Sequence, residues 1–145
     1  MRLWDLNYAR SPEDKIGMLF WRMNRSARII LSFKFHLGAM KPAEMVDFLV
    51  ERIGNERFGA TSEVRRYLEY SPLYQAAYML GGLQLYALHR EAVSGGRMTE
   101  KSFHDAVLGC HSIPIEMVRA ELLNKPLSRD FRPCWRFADP LPDKH

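Results

Sequence analysis

Between Leu73 and Leu88 the chain reads LYQAAYMLGGLQLYAL, and Gln75 and Gln84 are its only plainly polar side chains. They stand nine residues apart, so every face of a helix over this stretch is largely apolar. A helix of that kind needs neighbours on all sides, and the reading places it, over residues 73–93, as a buried rod at the centre of the fold. Tyr74, Tyr78 and Tyr86 lie on it, with Tyr67 and Tyr70 just upstream, and each phenol needs a hydrogen-bond partner if it is inside. The rod is therefore either core or the wall of a pocket. Gly81-Gly82 bares backbone in mid-helix at about 1 kcal/mol per glycine, which calls for a close approach by a neighbouring helix or by a ligand.

A chain of 145 residues with 47% hydrophobic content can build one domain with a true core, burying roughly two-thirds of its unfolded surface. The formal charge of +4 comes from 21 basic and 17 acidic residues mixed without a long run, which argues against a nucleic-acid binder. Cys110 and Cys134 are too few for a disulfide framework and suit a reducing compartment. No signal-peptide pattern opens the sequence, and its longest apolar run falls short of a membrane span, so a cytoplasmic protein with no membrane partner is expected.

Ser11-Pro12-Glu13-Asp14 has the form of a helix start, with a serine cap, proline in the first turn and acids at the positive dipole end. The helix can run to Gly38, and Ile16, Leu19, Phe20, Met23, Ala27, Ile30, Leu31 and Phe35 keep helical spacing on one face. Beside them Arg25, Arg28 or Ile29, Ser32 and His36 line an edge, which is either solvated or functional. Pro42 opens a second helix that Gly54 ends, and Thr61 or Ser62 caps a short one through Glu69. Pro72 forces a break before the central helix. Ser94-Gly95-Gly96 ends that helix, Thr99-Glu100 starts another through Leu108, and Ser112-Ile113-Pro114 starts the last through Leu123. Met1 to Arg10 reads as an aromatic lead-in. Pro126, Pro133, Pro140 and Pro142 mark residues 124–145 as an extended tail on a helical domain of residues 1–123. No strand pattern occurs, and the fold class is all-α, a single bundle of five or six helices.

No H-E-x-x-H, paired C-x-x-C, G-x-S-x-G or phosphate loop is present. His104, Asp105, Cys110 and His111 are near one another in sequence but match no zinc spacing, and Cys110 has no base placed to activate it. Metal ligands are assigned to none of them.

Taken together, Arg28 and His36, the run Glu63-Val64-Arg65-Arg66-Tyr67, Pro72, Tyr78 and Gly81, the run Phe103-His104-Asp105-Ala106-Val107-Leu108 and Ile113-Pro114 carry a resemblance. From about Met18 to Leu123 the chain resembles the C-terminal part of a large bacterial family catalogued as domain of unknown function 885. The resemblance implies an all-helical fold similar to zinc peptidases of the H-E-x-x-H plus glutamate type, with aminopeptidase-like or dipeptidase-like activity. In that family the metal residues lie upstream of the region matched here. Zinc thus belongs to the full-length family, and no cofactor is assigned to this chain. The resemblance leaves it the half of a cleft facing the metal, where Tyr78 and His36 would steady an oxyanion and Arg28, Arg66, Tyr67 and Tyr74 would hold a peptide. Ser32 stands where the family often has aspartate, and the glutamine after the proline is displaced to Gln75. The expected partners are the metal-bearing upstream portion, a second copy of the chain, or a peptide. The rival expectation is a non-catalytic helical interaction module.

Overall fold

The computed structural model describes residues 8–138, so the expected lead-in before Tyr8 and the end of the tail lie outside the described residues. Those residues form six α-helices and no strand, as the all-α reading expects. Helix α1 is Pro12–His36, α2 is Pro42–Phe48, α3 is Arg57–Glu69, α4 is Tyr74–His89, α5 is Glu100–Gly109 and α6 is Ile115–Leu122. Single π-helical turns extend α2 over Leu49–Ile53 and α4 over Arg90–Ser94. The chain divides into two compact units, Met1–Leu80 and Gly81–His145, with the division inside α4.

Local chemistry sets most helix ends. The Ser11 hydroxyl accepts the Asp14 amide while the Asp14 carboxylate accepts the Ser11 amide, a reciprocal cap that fixes the start of α1. At its other end the Ala39 amide reaches the Lys34 carbonyl at 2.7 Å and the Gly38 amide reaches Phe35 at 2.9 Å. This double bond pattern needs a left-handed residue, supplied by Gly38 at φ +70°. Gly54 at φ +83° closes the turn after α2 in the same conformation. Thr99 and Ser102 form the cap expected for α5. The start of α3 differs from expectation: its cap is Glu56, whose carboxylate accepts the Phe58 and Gly59 amides at 2.8 and 2.9 Å. Thr61 lies inside the helix and donates back to the Arg57 carbonyl.

The first unit buries Ala27 and Leu31 of α1 with Met45, Leu49, Ala60, Val64 and Tyr67. Asn24, buried on the same side of α1, donates to the Phe20 carbonyl and accepts from Asn55, tying the helix to the loop after Gly54. The second unit is built on Leu88, Ala92, Phe103 and Val118. Its Glu91 carboxylate meets Arg119, Lys125 at 3.1 Å and Arg136 at 3.2 Å, and the Ala138 amide donates to the Leu83 carbonyl. Residues 124–138 contain no helix and are pinned by these contacts.

Burial corrects the central rod. Tyr74 and Tyr78 are 47% and 50% exposed, whereas the two glutamines expected to be its polar spots, Gln75 and Gln84, are 3% and 8% exposed. The helix therefore has an aromatic open face, and Leu80 is only half-buried. Nothing among the described residues would meet a side-chain carbon added at Gly81 or Gly82, so the expected close approach is absent there. Gly81→Ala and Gly82→Ala should each stabilise the chain by roughly 0.5–1 kcal/mol, through higher helix propensity and a less disordered unfolded state. Urea unfolding followed by circular dichroism measures this, and a loss of stability would restore the close-approach reading.

Candidate functional site

Three helices of the first unit gather the charged and phenolic side chains. Arg28 on α1 grips Glu63 on α3 with both arms of the fork, Nε to Oε1 at 2.6 Å and Nη2 to Oε2 at 2.9 Å. Both side chains are mostly buried, so the pair is held in one geometry. Arg66, one turn along α3, approaches the same carboxylate at 3.7 Å but keeps half of its side chain in solvent. The Arg28 guanidinium lies 5.4 Å from the centre of the Tyr78 ring, within range of a cation–π contact.

Tyr70, Tyr74 and Tyr78 follow one another at four-residue steps. Tyr74 stacks on Tyr70 at 5.5 Å and meets Tyr78 edge-on at 5.7 Å. The Tyr78 and Tyr74 hydroxyls share a hydrogen bond of 3.2 Å, which holds the Tyr74 phenol above its ordinary titration range. All three rings are exposed. Tyr67 is the opposite case. It is buried, its hydroxyl has no hydrogen-bond partner among the described residues, and burial together with the Glu63 charge pushes its phenol well up, against the pull of Arg28.

The structure therefore brings together Arg28, Arg66, Tyr74 and Tyr78, and adds Glu63 and Tyr70. His36 is not among them: it is exposed in the last turn of α1, against Phe35 and eight residues from Arg28, a helical rise of about 12 Å. Tyr67 belongs to the core rather than to the open face. Ser32, one turn from Arg28, is fully buried with no partner for its hydroxyl among the described residues. Glu63 was visible as a residue but not as the partner of Arg28, because thirty-five positions separate them. Tyr70 could have been found from its four-residue step to Tyr74.

This arrangement directs what the groups can do. Glu63 neutralises Arg28 and takes up its fork, so Arg28 steadies the tyrosine face and Arg66 is the cation open to an incoming anion. The hydroxyl pair offers donors beside it. Among the described residues no three of histidine, cysteine, aspartate and glutamate converge as metal ligands. In the second unit His89 meets Glu100 at 2.9 Å and stacks near His104, while Asp105 pairs with Lys101, so the histidine–aspartate pair within α5 is engaged in local contacts. Glu91 is held below the ordinary carboxylate range: burial pushes it up, but the Lys125 hydrogen bond and the charges of Arg119, Lys125 and Arg136 outweigh that.

These features define an all-helical protein whose chemistry-bearing residues form an open tyrosine–arginine face. The chain belongs to the bacterial family of unknown function DUF885, whose family model matches residues 2–122. No curated protein and no solved structure matches it.

Proposed function

We propose that this chain is the substrate-holding, C-terminal side of a zinc-peptidase-like protein, with the metal residues contributed by an upstream portion as the family resemblance implies. The observation that carries this reading is the exposed Tyr74–Tyr78 hydroxyl pair beside the half-exposed Arg66, a set of donors suited to a peptide carboxylate. Arg28, neutralised by Glu63, orients Tyr78 from behind. A cytoplasmic residence accords with two free cysteines and with the lack, among the described residues, of a helix long and apolar enough to cross a membrane.

The chain alone should hold no stoichiometric zinc, cleave no peptide, and bind peptides with a free C-terminal carboxylate better than their amides. Isothermal titration with a short peptide in both forms tests this. Tyr78→Phe and Arg66→Gln should each weaken the carboxylate form by roughly tenfold, the worth of one charge-assisted hydrogen bond. Equal affinity for acid and amide, or a tightly held metal whose chelation abolishes hydrolysis, would overturn the reading.

A second reading, a helical interaction module, is favoured by a separate observation. Ile16, Leu19, Met23 and Ile30, expected on the core-facing side of α1, are exposed in the structure. Of that expected face the helix buries Ala27 and Leu31, and beside them it buries Asn24 and Ser32.

A further inference from the structure

Helix α1 carries a second apolar stripe, distinct from its core face. Ile16, Leu19, Met23, Ser26, Ile30, Phe33 and Leu37 follow one another at alternating steps of three and four, the spacing of a coiled-coil seam over three heptads. Apart from half-buried Ser26, every one is exposed, from 41% at Met23 and Phe33 to 78% at Leu37. An a/d seam of this length on the solvent side of a 25-residue helix has no role in packing the first unit.

We infer that α1 pairs with α1 of a second copy of this chain, antiparallel, about a two-fold axis near its middle. The inference rests on the interaction-module reading and names its partner. Charge selects the orientation. The first turn carries Glu13 and Asp14 and the last turn Lys34 and His36, so antiparallel helices set Glu13 of one copy against Lys34 of the other at both ends. A parallel pair would instead bring like charges together at each end. Register agrees. Pairing Ile16 with Phe33, Leu19 with Ile30 and Met23 with Ser26 of the second copy places seam residues opposite one another in every layer, and Leu37 then meets Pro12. Near the axis sits Ser26, small enough for close approach, its hydroxyl already donating to the Arg22 carbonyl at 3.2 Å. On the other flank Lys15 stands opposite His36 of the second copy.

Sedimentation equilibrium of the full chain over a concentration series reads the association. A dimer is expected, and Leu19→Glu with Ile30→Glu should weaken it by roughly a hundredfold or more, with unchanged helix content because both residues are exposed. Glu13→Lys and Lys34→Glu should each weaken the dimer several-fold, and the double swap should restore it. A chain that stays monomeric at high micromolar concentration overturns the proposal, as does a dimer that ignores the seam substitutions. A monomer that instead binds the metal-bearing portion of a family member through these residues also overturns the second copy as partner, while leaving the interaction-module reading in place. Peptide binding through Tyr78 is read separately and stands or falls without the dimer.

Discussion

Replacing Arg119 by methionine should cost roughly 3–5 kcal/mol, because it strips the partner from a carboxylate that is almost closed off from water. Arg119 is 3% exposed and Glu116, whose Oε1 lies 3.2 Å from its Nε, is 7% exposed. Glu91, on the other side of the guanidinium, is less affected, since Lys125 and Arg136 still hold it. Most of the loss should therefore trace to Glu116. Combining Arg119→Met with Glu116→Leu removes the orphaned charge and should recover much of the stability, since a buried ion pair is often replaceable by apolar groups of similar volume. Urea unfolding of the wild type, both single variants and the double variant gives the coupling directly. A loss under about 1 kcal/mol for Arg119→Met, or a double variant as unstable as the sum of its parts, would show that the network does not organise the second unit.

Arg119 also marks what the sequence could and could not convey. Helix ends were legible where the signal is local. The Ser11 cap, the glycines at Gly38 and Gly54, the break at Pro72 and the Thr99 start all depend on residues within a turn of one another. The α3 start was missed for the same reason in reverse: serine and threonine are the favoured caps, and the glutamate at position 56 that does the capping is not. Burial was far less legible. An all-round apolar helix implies cover on every side, yet which side receives it depends on elements distant in sequence. The glutamines of α4 are buried while its Tyr74 and Tyr78 are open, the reverse of what side-chain polarity alone implies. The Arg28–Glu63 pair and the triple attachment of Glu91 join positions twenty-eight to forty-five apart, and neither spacing nor composition encodes such pairings. The four-residue step of Tyr70, Tyr74 and Tyr78 was present in the sequence from the start, and only its exposure makes it a site.

Adjacent residues on α1 give the sharpest test of which face points where. Leu31 is fully buried among Ala27, Met45, Leu49, Ala60 and Val64, so Leu31→Ala should cost about 2–5 kcal/mol through lost apolar burial and the cavity left behind. Ile30, its neighbour, is 44% exposed on the seam, and Ile30→Ala should change the stability of the folded unit by less than about 1 kcal/mol, partly offset by the better helix propensity of alanine. The two variants should separate cleanly by what they disturb. Leu31→Ala lowers the unfolding midpoint with little effect on association measured well below that midpoint, because its side chain faces the core. Ile30→Ala weakens the antiparallel pair while leaving the monomer's unfolding almost unchanged. Hydrogen exchange on α1 reports the first effect and sedimentation the second. If Ile30→Ala proved the more destabilising of the two, the face of α1 assigned to the core would be wrong, and with it both the packing of the first unit and the seam proposed for its partner.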